Sequence, residues 1–93
     1  MARHAVRLRI EGGVQGVGYR WWAIETARSL GLEGWVRNCR DGSVELLAIG
    51  EPQSIGDLAS ACGVGPRGAR VTAVTPSTAQ DDGSVGFYQK ATV

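Results

Sequence analysis

The sequence predicts an α+β fold of the ferredoxin-like kind: a split β-α-β sandwich (βαββαβ) with two helices on one face of an antiparallel sheet. Three observations point there. Apolar positions switch between the period of strands and the period of helices in the order β-α-β-β-α-β. Asp41-Gly42 lies between the second and third strand-like segments, where a hairpin turn belongs. The length of 93 residues admits one core and not two lobes with a cleft between them, so a single domain over residues 1–93 is expected.

Val6, Leu8 and Ile10 alternate with Arg7, Arg9 and Glu11, the pattern of a half-buried strand. A segment of seven residues, Gly12 to Gly18, follows and holds four glycines. A helix is expected from Tyr19 or Arg20 to Leu30, with Tyr19, Ala23, Ala27 and Leu30 forming its core stripe. Gly31 stands where a left-handed C-cap belongs, and Leu32 can fold back on the last turn. Glu33 to Cys39 and Ser43 to Ile49 are rich in strand formers, joined by a tight turn whose two central residues are expected at positive φ. The second helix starts near Pro52, buries Ile55, Leu58, Ala59 and Cys62, and closes at Gly63. Gly56 inside it costs about 1 kcal/mol relative to alanine. Gly63 to Gly68 reads as a loop, Ala69 to Thr75 as a fourth strand, Pro76 to Ser84 as a polar loop, and Val85 to Ala91 as a fifth strand pairing at an edge.

Composition bounds the function. Hydrophobic residues make up 43% and charged residues 20%, which is globular and not disordered. Ten basic residues against nine acidic ones leave a net charge of +1, which argues against a broad nucleic-acid surface. Cys39 and Cys62 are the only cysteines and form no CxxC pair, so a disulfide scaffold is not indicated and a reducing compartment is favoured. The N-terminal residues lack the apolar run of a signal peptide, and no stretch approaches the roughly 18 apolar residues of a membrane span. A soluble, cytoplasmic protein without a membrane partner is expected. The 14 glycines are about twice average usage, so part of this chain needs backbone freedom.

That part is the segment Gly12-Gly13-Val14-Gln15-Gly16-Val17-Gly18-Tyr19-Arg20. A glycine-rich turn feeding a helix N-terminus gathers free backbone N–H groups and the positive end of the helix dipole, which suits phosphate or sulfate. Arg20 at its mouth adds a planar fork of donors matched to phosphate oxygens. The plain alternative is a glycine-rich turn beside a surface arginine. A Walker loop is excluded because Tyr19-Arg20 replaces the required Lys and Ser/Thr, and no GxGxxG is present. The second candidate is Asn38, in Trp35-Val36-Arg37-Asn38. It shares the parity of apolar Val36, and an asparagine on a core-side face needs a partner or a role; the hairpin turn is one such partner.

VQGVGYR, followed by LGLEGWVRN and DGSVE, resembles the acylphosphatase family, with its VQGV loop, phenylalanine and arginine, LGLxGWVxN stretch and glycine-containing hairpin. GPRGARV and the aromatic Phe87 extend the resemblance over about Val6 to Phe87. It implies hydrolysis of acyl phosphates to carboxylate and phosphate. It further implies that Arg20 binds the phosphoryl group together with backbone amides of Gln15, Gly16, Val17, Gly18 and Tyr19, and that Asn38 orients the attacking water. Two departures stand out: Tyr19 replaces the commoner phenylalanine and brings a hydroxyl that needs a partner, and Gly13 stands where many members carry a larger, often basic, side chain.

The chemistry fits a spare site. His4 is the only histidine, and no Ser-His-Asp set, metal cluster or paired carboxylate can be assembled from the motif positions. An acyl phosphate expels a carboxylate of intrinsic pKa about 4, so no general acid is required. Neither metal nor cofactor is expected, and the protein is expected to act as a monomer on a small-molecule substrate. The competing reading from another class is a non-catalytic anion-binding module of the same fold. An RNA-binding domain ranks lower, because the central strands WVRNC and SVELLAI lack its aromatic and basic pattern. Trp21 and Trp22 read as core and flank, Arg7 and Arg9 as a solvated sheet face, and Asp41 as turn chemistry.

Overall fold

The computed structural model describes residues 3–93; the first two residues of the expected domain lie outside the described residues. The elements follow the expected order: β1 (His4–Gly13), α1 (Tyr19–Ser29), β2 (Glu33–Asn38), β3 (Val44–Gly50), α2 (Pro52–Cys62), β4 (Arg70–Thr78) and β5 (Phe87–Gln89). The sheet order is β4-β1-β3-β2-β5. β1 and β3 therefore occupy the interior, with β2 beside β3. All pairings are antiparallel except the last, where β5 runs parallel to β2.

Strand parity sorts the sheet into two faces. Leu8 and Ile10 of β1, Val36 of β2, and Val44, Leu46 and Ala48 of β3 point to the helices. There they meet the Tyr19–Ala23–Ala27 stripe of α1 and Ile55, Leu58 and Cys62 of α2. Both stripes follow the expected helical spacing, except that Leu30 and Ala59, expected among them, are only partly buried at the margin of the core. Gly31 is left-handed (φ 71), and the Leu32 and Gly31 N–H groups bond the Ala27 and Arg28 carbonyls, a complete Schellman end to α1. Among the described residues, no helix is long and apolar enough to cross a membrane.

Four local expectations are corrected. The β2–β3 turn does not place both Asp41 and Gly42 at positive φ. Only Gly42 is there (φ 95), with its N–H on the Cys39 carbonyl, and the Cys39 N–H closes the loop on Ser43. A three-residue connection needs one left-handed residue where a two-residue one needs two. At the end of α2, Gly63 keeps a right-handed conformation and Gly65 takes the positive φ (70), two residues further on. β4 continues through Pro76 to Thr78 because it is an edge strand, where proline costs no interior ladder bond. β5 is confined to Phe87–Gln89.

The helix-free face is less solvated than its arginines suggested. Trp35 is buried there with Leu47 and Ile49, and Ala5 and Ala79 pack against them. The Arg37 guanidinium and the Lys90 ammonium each lie 4.6 Å from the indole centroid, and the indole N–H donates to Asp82 at 3.1 Å. Arg37 also pairs with Glu45, and Arg9 with Asp41.

Candidate active site

The site lies where the β1–α1 loop meets the end of β2. A register shift between Glu11 and Gly12, opposite β4, bends the chain as β1 ends. The loop then carries Gly16 (φ 75) and Gly18 (φ 77) in left-handed backbone, a conformation that costs any other residue roughly 1–2 kcal/mol. A Cβ at either glycine would meet no protein atom within 4 Å, so conformation and not crowding selects glycine here. Gly18 is the N-cap of α1, and no side chain caps the helix. The first helical bond is Trp22 N–H to the Gly18 carbonyl at 3.0 Å. Among the described residues, the N–H groups from Gln15 through Trp21 have no acceptor within the protein. They form the positive end of the helix dipole.

Arg20 and Asn38 both border a cavity of about 180 Å³, together with Gln15, Gly16, Gly18 and Tyr19 of the loop. Both are half-buried. Neither side chain has a hydrogen-bond or ion-pair partner among the described residues, whereas Arg3, Arg7, Arg9 and Arg37 are all paired. The alternative in which the hairpin turn occupies Asn38 therefore does not hold: its backbone carbonyl accepts from Val93 N–H, while its carboxamide is free. Val17 does not border the cavity, and its side chain packs toward the core.

Three features of the site were not legible in the sequence. The sequence points only to the backbone of Gln15, yet its carboxamide N–H₂ donates to the Cys39 carbonyl at 2.7 Å and the Ser43 carbonyl at 2.8 Å. It straps the loop carrying the amides to the hairpin that carries Asn38. Trp21 and Gln89, from α1 and β5, border the same cavity. No sequence signal identifies Gln15 as a strap, because its acceptors are ordinary carbonyls brought close by the fold. Gln89 depends on the parallel pairing of β5, where it lies opposite Val36.

The departure at Tyr19 is accommodated. Its ring is buried, and its hydroxyl donates to the Cys62 carbonyl at 2.8 Å, where α2 ends. Burial pushes its ionisation far above the usual phenol range, and burial likewise pushes the Cys62 thiol up to about 11. At Gly13 the cross-strand partner is Arg70, so a cation lies opposite the position that lacks one. Asp41 serves the turn: the Ser43 hydroxyl, then Arg9, hold its carboxyl far below the usual range. Among the described residues, no carboxylate, thiol or imidazole borders the cavity. One guanidinium, a set of unpartnered amides and the carboxamides of Asn38 and Gln89 can hold a tetrahedral oxyanion and a water; they cannot supply a nucleophilic side chain or a strong base.

Comparison with known proteins gives one consistent result. A sequence profile described as acylphosphatase matches residues 6–88. An acylphosphatase of Bradyrhizobium diazoefficiens is 50% identical over 82 residues, 88% of this chain and 83% of that protein. One of Rhodospirillum rubrum is 51% identical over 85 residues, covering 89% of this chain and 91% of that protein. Among solved structures, an acylphosphatase from Coxiella burnetii superposes with a TM-score of 0.91 at 32% identity, over 96% of this chain and 94% of that one.

Proposed function

The chain belongs to the acylphosphatase family, and from that premise we propose that it hydrolyses the carboxyl–phosphate bond of small acyl phosphates to carboxylate and inorganic phosphate. The phosphoryl group sits at the start of α1, with its oxygens on the Arg20 fork and on backbone amides of Gln15, Gly16, Gly18 and Tyr19. The Asn38 carboxamide accepts a hydrogen bond from a water and aims its oxygen at phosphorus, opposite the leaving group. As the water oxygen bonds to phosphorus, the bond from phosphorus to the carboxyl oxygen breaks and its electron pair leaves with the carboxylate. The water's proton passes to the phosphate product and solvent. A loose transition state places the burden on positioning and on charge held by fixed donors.

One observation carries this reading: Arg20 and Asn38, from different elements, reach one cavity with neither side chain committed to the rest of the protein. No metal or cofactor is required, because the leaving carboxylate has an intrinsic pKa of about 4 and departs without a proton. The protein acts as a single-domain monomer of the cytoplasm with no nucleic-acid or membrane partner. This is supported by a net charge of +1 and by two unpaired cysteines suited to a reducing compartment.

The test is phosphate release from benzoyl phosphate with a chelator present, comparing wild type with Asn38→Ala. Wild type is expected to turn over, and the variant to lose about 100-fold in rate while inorganic phosphate still inhibits it. A folded wild type that binds phosphate without turnover would leave a non-catalytic anion-binding module as the function. Near-normal turnover by Asn38→Ala would remove the water-positioning role.

A further inference from the structure

The two adjacent tryptophans of α1 face opposite ways. Trp22 turns inward, half-buried, and meets the Tyr19 ring edge-on, with centroids 5.2 Å apart and planes at 62°. Trp21 turns outward and is 69% exposed. A lone exposed aromatic calls for no explanation, but this one follows Arg20 directly and borders the same cavity as Arg20 and Asn38.

We propose that Trp21 is the acyl-side wall of the site, and that the protein favours acyl phosphates whose acyl group carries an aromatic ring. The proposal rests on the hydrolase reading given above. At about 180 Å³ the cavity is smaller than the roughly 300 Å³ at which ligand pockets begin. A phosphoryl group and its attacking water occupy it, and the acyl group lies across the rim. The phosphoryl end is lined by glycines, amides and the Arg20 guanidinium, and the apolar residues beneath them, Val14 and Tyr19, are buried in the core and offer a ligand almost no surface. Trp21 supplies that surface, with Gln89 of β5 also at the cavity. Among the described residues Arg20 is the only charged one around the cavity, so an acyl group bearing a second carboxylate finds no cation of its own. A flat, uncharged ring fits best, lying against the indole face or edge.

The experiment measures kcat/KM for benzoyl phosphate and for acetyl phosphate in wild type, Trp21→Ala and Trp21→Phe. Trp21 faces solvent, so its loss leaves the core intact, which circular dichroism and thermal melting verify. The benzoyl-to-acetyl ratio is expected to fall about fivefold in Trp21→Ala, the effect of removing one aromatic contact. The fall should sit mainly in KM for benzoyl phosphate, because a contact remote from the breaking bond binds ground and transition states alike. Trp21→Phe should restore the ratio to within about twofold of wild type. Turnover of both substrates with a ratio indifferent to Trp21→Ala overturns the role of Trp21 alone. A folded wild type that hydrolyses neither substrate overturns the hydrolase reading and this proposal with it.

Discussion

The two helices have the same length, 11 residues, and neither has a capping side chain at its N-terminus, yet only one of them begins at a candidate active site. α2 starts with Glu51 at the N-cap and Pro52 just inside. The carboxylate complements the positive end of the dipole, and proline removes an N–H that would have no acceptor. α1 does the reverse. It starts at a left-handed Gly18 and places Arg20 in the first turn, a cation at the positive end of the dipole, which costs about 0.3–1 kcal/mol. At the far end of α1, Arg28 has the favourable sign and donates to the Phe87 carbonyl at 3.0 Å. Two arginines on one helix thus have opposite local energetics. The unfavourable one, without a partner among the described residues, borders the cavity, which fits the phosphate-holding role proposed for Arg20.

The sharpest way to break the comparison is Arg20→Ala. Activity toward acyl phosphates is expected to fall by about 100- to 1,000-fold, with weaker inhibition by phosphate. Thermal stability should hold or rise, because the substitution removes the misplaced cation. A clear fall in melting temperature would mean that Arg20 supports the fold, and the contrast between the helix starts would lose its meaning.

The helices also meet at Tyr19 and Cys62, and that joint sets an alkaline limit. Burial holds the Cys62 thiol protonated up to about 11, whereas an unfolded thiol ionises from about 9. Across that interval the folded state keeps a proton that the unfolded state has lost. Stability is therefore full below pH 9 and declines as pH rises toward 11, by up to about 3 kcal/mol. Tyr19, raised in the same direction, adds to the decline above pH 10. Denaturant titrations at pH 8 to 11 should show this fall, with a shallower slope in Tyr19→Phe. Equal slopes would remove Tyr19 from the effect.

The smallest effects come from one substitution made on each helix. Gly18→Ala forces a left-handed alanine at the start of α1 and should destabilise by roughly 1–2 kcal/mol, with lost activity. Gly56→Ala in α2 meets open space and requires no positive φ, so it should stabilise by about 1 kcal/mol with activity unchanged. Chemical denaturation of both variants measures the pair, and effects of the same sign would contradict the difference between the two starts.

Much of the fold was legible because periodicity is local. The Tyr19–Ala23–Ala27 and Ile55–Leu58–Cys62 stripes are buried as their spacing required, and Gly31 ends α1 as a left-handed residue must. The hairpin's exact loop length was less legible, since an Asp-Gly pair serves two- and three-residue connections alike. The direction of β5 was not legible at all. A strand of three residues has no partner of its own to declare, and it pairs with β2 only after a polar loop has crossed the sheet. That crossing also buries Trp35 on a face expected to be solvated. Within the candidate site, Arg20 and Asn38 were readable from motif and parity. The Gln15 strap and the Trp21 wall were not, because each depends on what another segment brings near.

The sequence by itself therefore determined the element order, the two core stripes, the glycine loop and the family, since these depend on residues close together in the chain. Tertiary structure alone decided that Arg20 and Asn38 share a cavity, that Gln15 ties their two segments together, that the Tyr19 hydroxyl finds the end of α2, and that Trp21 rather than Trp22 faces the rim. Those outcomes depend on how whole elements pack, and packing is settled by the sum of many weak contacts across the core.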